Sequence, residues 1–195
     1  MTLPIEVNGP RVIGLDLSLT ASGVAIVANH QIWTTTLKPK VAGHRRLEVI
    51  SDKIAEWAAD ADLILVEGAA YGREQQAFNM GGLWWVVTHR LWHEAQDCVV
   101  VPPACVKKYA TGTGRASKEI VGYECVRRFP GEMITDNNQS DALWLAHMGL
   151  DWLGWPLIGM PALNRKALDA IETWPARDTI TRFPTPSPSR ILAEA

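Results

Sequence analysis

The stretch RVIGLDLSLTASGVAIVANHQIWTTTL, residues 11–37, decides the fold. Residues 11–17 are dominated by Val, Ile, Leu and Gly, which predicts a buried strand. Residues 22–28 (SGVAIVA) and 31–37 (QIWTTTL) predict two more, the latter rich in β-branched residues. Only Asn29 and His30 separate these two strands. That is hairpin length, and Asn tolerates the positive φ of a tight turn. Working outward, Leu47, Ile50, Ile54 and Trp57 share one stripe and predict a helix over about 44–59. Residues 62–66 (DLILV) and 97–101 (DCVVV) predict a fourth and a fifth strand, with a helical stretch at about 75–95 between them. Gly81-Gly82 interrupts that stretch. Each Gly costs about 1 kcal/mol relative to Ala in a helix, so the pair predicts a bend or a close backbone approach. Beyond Pro102-Pro103 come a short helix, the loop TGTGR (111–115), a helix at about 116–129 and a last core helix at about 137–150.

A strand reached through a helical crossover lies parallel to its neighbour. The expected architecture is therefore α/β: a mixed five-stranded sheet, three antiparallel strands followed by parallel ones, flanked by helices. Residues 1–150 form this domain. After residue 150 the composition changes, because 6 of the 12 prolines fall there and the end TPTPSPSR is of low complexity. Residues 151–195 are expected to form an irregular Pro-rich extension, with one short helix at about 163–172 and a mobile end over 180–195.

Composition narrows the class. With 195 residues, 47% hydrophobic and 21% charged, the chain can bury a full core without a staple, which excludes a disordered or collagen-like protein. No apolar run is long enough to span a membrane. The opening MTLPIEVNGPRV lacks the basic and apolar regions of a signal peptide. Cys98, Cys105 and Cys125 are odd in number and make no CxxC, so a reducing cytoplasm is expected, without a disulfide framework. A net charge of −2 argues against indiscriminate coating of nucleic acid, but leaves room for a local basic face.

Three acids stand where acids are costly. Asp16 lies inside the first apolar strand, Glu67 ends the strand LILV, and Asp141 opens the apolar helix DALWLAHMG. One such acid ordinarily serves as a cap or an ion-pair partner, and Asp141 also suits a helix N-terminus. Three in matching contexts point to one shared site if the first and fourth strands are neighbours. Clustered carboxylates repel one another, and hard oxygen donors select Mg²⁺ or Mn²⁺. Paired ions of this kind are a standard device for phosphodiester hydrolysis.

The segments GLDLSLTASGVA (14–25), LVEG (65–68), VKKYATGTGRASK (106–118) and DNNQSDALWLA (136–146) resemble, in order, the RuvC-type Holliday-junction resolvases, above all their phage-encoded branch. The resemblance spans about residues 11–150. It implies an RNase H-like fold and a homodimer that cuts symmetric strands of a four-way DNA junction using Mg²⁺, with Mn²⁺ as a substitute. It assigns Asp16, Glu67 and Asp141 to the metal. A fourth acid expected three residues before the last is here Asn138; Asp136 lies five residues before Asp141, about 140° around a helix. Either is a candidate to complete the site. Tyr71, in the loop EGAAYGRE, matches an aromatic that stacks on an unpaired base at the junction centre, and Arg73 is a candidate phosphate contact.

From 100 to 128 six basic residues (Lys107, Lys108, Arg115, Lys118, Arg127, Arg128) face only Glu119 and Glu124, leaving a local surplus in a chain of net −2. A positive strip beside an acidic pocket suits DNA; a merely solvated helix face is the alternative. Lys107 and Lys118 match family positions that contact DNA or assist catalysis, and Lys107, Lys108, Arg115 and Lys118 are the expected DNA contacts. The glycines of TGTGR allow a phosphate to approach the backbone, but no Walker loop is present and no nucleotide cofactor is expected. Trp57, Trp84, Trp85, Trp92 and Trp144 lie in apolar helix segments, and the 84–92 cluster suits a dimer face. His89 and His93, spaced i and i+4, lack a third ligand nearby and are read as packing residues. The expected function is a metal-dependent, structure-selective DNA endonuclease that resolves four-way junctions. The alternatives are a flap- or fork-cutting nuclease of the same fold and a non-catalytic branched-DNA-binding protein. An actin-like nucleotide-binding domain lacks its second glycine-rich motif.

Overall fold

The computed structural model describes residues 9–68 and 74–176, apart from the side chains of 74–77. Five strands, β1 (Val12–Asp16), β2 (Ser22–Ala28), β3 (Gln31–Leu37), β4 (Leu63–Glu67) and β5 (Cys98–Val101), form one sheet in the order β3-β2-β1-β4-β5. β1, β2 and β3 pair antiparallel, and β4 pairs parallel with β1 and β5. This is the mixed sheet expected from the sequence. Asn29 and His30 make the hairpin between β2 and β3, with φ of 52° and 62°, the left-handed pair of a turn whose twist matches its strands.

The period of two along each strand sorts the side chains into two layers. Ile13, Leu15, Val24, Ile26, Ile64 and Val66 pack against α1 (Gly43–Ala58) and α2 (Glu74–His93) through Ile50, Ile54, Leu83, Val87 and Leu91. Val12, Ala25, Val27, Leu63 and Leu65 face α3 (Pro103–Thr111), α4 (Lys118–Arg128) and α5 (Asn137–Leu153). α5 is buried from Gln139 to Asp151, which explains why its sequence is apolar nearly all round. It is capped at its start by Asp136, whose carboxylate accepts from the Gln139 N–H at 3.0 Å. At its end Gly154 takes the left-handed conformation, with φ of 84°.

α5 can lie directly on β1 and β2 because glycines face it. A Cβ at Gly14 would stand 2.0 Å from the Ala142 carbonyl oxygen and 2.6 Å from the Ala146 nitrogen. One at Gly23 would stand 2.0 Å from the Asn138 carbonyl oxygen. The pair Gly81-Gly82 behaves otherwise. α2 runs through it as one helix, and a Cβ at either would meet nothing within 4 Å, so no close approach among the described residues accounts for it.

Past α5 the chain stays on the core. α6 (Ala162–Arg165) and a 3-10 turn (Leu168–Ala170) stand where one helix over about 163–172 was expected. Trp155, Leu168 and Ile171 join the buried cluster around α5. A buried polar relay anchors this segment. The Ile158 N–H donates to His147 Nε2 at 3.3 Å, which leaves the proton of the neutral ring on Nδ1, facing the Tyr109 hydroxyl at 2.9 Å. Tyr109 in turn donates to Asp151 at 2.7 Å, and Arg165 pairs with Asp151 at 3.0 Å. Burial pushes His147 down to about 3, so it stays neutral at physiological pH. The expected mobile end over 180–195 lies outside the described residues. Among the described residues no helix is long and apolar enough to cross a membrane.

Candidate functional site

Positions 12, 14 and 16 of β1 face α5, as do 63, 65 and 67 of β4. Leu15 pairs with Val66, so Asp16 and Glu67 finish adjacent parallel strands on the same face. A slip of one residue in either strand would send its acid to the opposite layer. Asp141, in the second turn of α5, joins them because Gly14 and Gly23 admit the helix at backbone contact. Asp16 and Asp141 are each only 7% exposed. Ser22 closes the turn beside Asp16, accepting from the Ser18 N–H at 3.0 Å and donating to the Ser18 carbonyl at 2.7 Å.

The cation comes from α4. Val121 and Cys125 bury one side of that helix, and the Trp144 indole of α5 donates to the Val121 carbonyl at 3.2 Å. This fixes the start of α4 beside the start of α5. Lys118 Nζ lies 3.6 Å from Asp141 Oδ2, and its charge acts on Asp16 and Glu67 as well. Lys107, on α3, is near enough to hold down the pKa of Asp141. Lys107 and Lys118, from separate helices, thus flank one carboxylate. Lys108 lies beside Lys107 on α3, and Arg115 is exposed in the loop before α4.

Electrostatics set this cluster apart from ordinary surface acids. Burial, followed by the charge of Asp141, pushes Asp16 up to about 6, and burial with the charges of Asp16 and Asp141 pushes Glu67 up to about 8. A hydrogen bond joins the Asp16 and Glu67 side chains. Burial raises Asp141 too, against the pull of Lys118 and Lys107. For Lys118, desolvation is outweighed by the three carboxylates, so its ammonium is retained. Between the unfolded carboxylate range near pH 4 and these folded values, the folded chain binds more protons than the unfolded one. Its stability must therefore decline as pH rises through that window. Glu67→Gln removes the strongest contributor. We expect it to raise stability at pH 8 by on the order of 2 kcal/mol, or about 4–8 °C in Tm, and to do little at pH 4. Thermal melts at the two pH values check this; an equal shift at both would contradict it.

Other sequence-selected residues are distributed less simply. Asp136 is committed elsewhere: besides the Gln139 N–H it accepts from the Thr36 hydroxyl at 2.7 Å, with Lys38 Nζ at 3.6 Å. Asn138 sits against Gly23, the residue paired with Asp16, and lies on the same helical face as Asp141 three residues on. Of the two candidates for a fourth ligand, only Asn138 shares a helical face with Asp141. Tyr71 and Arg73 lie outside the described residues. The glycines of TGTGR have internal explanations: Gly112 caps α3 with φ of 84°, and a Cβ at Gly114 would stand 3.1 Å from the Ala104 carbonyl oxygen. The His89 and His93 rings lie 6.5 Å apart and tilted, and among the described residues they join no third metal-ligating side chain.

The donor set suits a hard divalent cation: two buried carboxylates and one half-buried one repel each other, with only Lys118 and, at Asp141, Lys107 to offset them. Among the described residues no three acidic, His or Cys side chains are already drawn in to metal-ligand spacing. In the cluster, the Asp16–Glu67 hydrogen bond and Lys118 hold the places that a cation would compete for.

Sheet order, helix placement and the strand-end acids define an RNase H-like α/β domain. More particularly, the chain has the fold of RuvC. The Thermus thermophilus RuvC structure aligns with a TM-score of 0.61 and 21% identity over 74% of this chain and 97% of that one. T. thermophilus RuvC in complex with Holliday junction substrate aligns at 0.60 and 21% over 70% and 90%. No family model matches the chain, and no curated protein matches it by sequence.

Proposed function

We propose that this chain is a RuvC-type, metal-dependent endonuclease that resolves four-way DNA junctions. The observation that carries the reading is the convergence of Asp16, Glu67 and Asp141 on one face, with Lys118 against Asp141, in a domain of the RuvC fold. Asp16, Glu67 and Asp141, assisted by Asn138, would hold Mg²⁺, or Mn²⁺ in its place. The ion supplies Lewis-acid stabilisation of the developing phosphate charge and a nucleophile at neutral pH. The chain's own groups do the rest. Lys118 and Lys107 pair with the scissile phosphate, the helix packing that buries Asp16 and Asp141 excludes bulk water, and Arg115 and Lys108 extend the cationic track along a DNA arm. Tyr71 and Arg73, which follow Glu67 in the sequence, are the proposed contacts at the branch point. Residues 1–150 serve as the nuclease domain of a protein acting in a bacterial cytoplasm, and 151–195 as its extension.

Two linked cuts need two sites, and α2 offers the surface for a homodimer. Phe78, Trp85 and Trp92 recur every seven residues and are 77%, 69% and 63% exposed. That spacing places them on one side of the helix. Gly82 lies on the same stripe, and a Cβ there would meet nothing within 4 Å among the described residues, which leaves room for a bulky side chain of a second copy. Two glycines in mid-helix cost about 2 kcal/mol together, which a partner's close approach would offset. We expect Trp85→Glu to convert a dimer into a folded monomer in analytical ultracentrifugation, with at least a tenfold loss of paired cutting. A dimer unchanged by that substitution would move the interface elsewhere.

The function is tested by offering end-labelled four-way junction, flap, fork and linear duplex side by side in Mg²⁺. Preferential cutting of the junction supports the proposal. Preference for the flap or fork keeps the chemistry and changes the substrate.

A further inference from the structure

The same cluster suggests how many ions it takes, an inference that rests on reading the cluster as a metal site. We propose that Lys118 takes the place of a second divalent cation, so that each chain loads a single ion beside a built-in ammonium. Three observations lead there.

First, the ligand charge is small. The helical position that shares a face with Asp141 on its N-terminal side is Asn138, an amide. The other nearby acid, Asp136, has one oxygen on the Gln139 N–H and the other on the Thr36 hydroxyl, with Lys38 alongside. Three carboxylates are left. One divalent ion and the Lys118 ammonium balance them, and Lys107 adds further positive charge on the Asp141 side; a second divalent ion would leave the site with a net positive charge before any phosphate arrives.

Second, the ammonium is placed by structure. Lys118 is the first residue of α4, whose start is pinned to α5 by Val121, Cys125 and the Trp144 indole. Gly122 brings the two helices closer still, since a Cβ there would stand 3.0 Å from Asn137 Oδ1. The lysine therefore leaves a fixed point and reaches Asp141 Oδ2 at 3.6 Å, within electrostatic range of all three acids.

Third, paired ions in nucleases sit about 3.5–4 Å apart, and their repulsion is tolerable only with carboxylates around and between them. A second ion on the Asp141 side would have to displace Lys118. The ammonium can itself supply positive charge to a phosphate oxygen there, without a coordination shell to assemble.

Counting Mn²⁺ by its electron paramagnetic resonance signal in titrations of purified protein tests the proposal. Wild type should bind one Mn²⁺ per chain, and Asp16→Asn none. Lys118→Met should bind its first ion about tenfold more tightly, and Lys118→Met combined with Asn138→Asp should bind two. Single-turnover cleavage by wild type should then rise with Mg²⁺ with a Hill slope near one. Two Mn²⁺ per wild-type chain would overturn the proposal and leave the metal-site reading standing. So would a count of one in the double variant, and so would unchanged affinity in Lys118→Met. No Mn²⁺ in wild type would overturn both.

Discussion

Asp16→Asn is expected to reduce junction cleavage by at least about 10³-fold while leaving junction binding within a factor of a few. Asp16 is the central member of the cluster, hydrogen-bonded to Glu67 and repelled by Asp141. Asparagine keeps its shape and one carbonyl oxygen, but removes the charge that would attract a cation. The folded protein should not suffer. Asp16 is buried with its pKa pushed up to about 6, so neutralising it relieves repulsion and desolvation. Single-turnover cleavage, gel-shift affinity and a thermal melt on the same preparation separate these effects. Cleavage within tenfold of wild type would remove Asp16 from the chemistry. A collapse in Tm would make its role structural.

The second large effect concerns the glycines under α5. Gly14→Ala is expected to destabilise the protein by about 3 kcal/mol or more, and Gly23→Ala to do the same. In each case the new Cβ would stand 2.0 Å from a backbone carbonyl oxygen of α5, and a backbone has no rotamer with which to yield. The helix must lift from the sheet, taking Asp141 away from Asp16 and Glu67. Whatever fraction stays folded should therefore lose cleavage beyond its loss of stability. Urea unfolding measures the first effect and cleavage by the folded fraction the second. A change under 1 kcal/mol would mean that α5 does not press on β1 as described.

These two predictions mark where the sequence was legible and where it was not. The strands were readable because residues 11–37 hold short apolar and β-branched runs broken by turn residues, with Asn29-His30 supplying the positive φ of the hairpin. The acids stood out because Asp16, Glu67 and Asp141 contradict their apolar surroundings, and the parallel pairing of β1 with β4 brings two of them together. The role of Gly14 and Gly23 depends on which helix lies over them, a long-range fact that no local pattern carries. A glycine two residues before an out-of-place acid in a strand is the signal that was there to be used. Asp136 escaped for the same reason, since its partners Thr36 and Lys38 are a hundred residues away in sequence. Gly81-Gly82 was recognised as costly, but neither a bend nor a close approach among the described residues accounts for it.

Mapping the cuts at nucleotide resolution on a four-way junction with all strands labelled tests the central claim most directly. The protein should place paired nicks in Mg²⁺, symmetrically across the branch point on opposing strands, and the products should religate to linear duplexes. Tight, structure-selective binding with no cut in Mg²⁺ or Mn²⁺ would contradict the account. It would make this RuvC-fold domain a branched-DNA-binding protein whose acidic cluster does no chemistry.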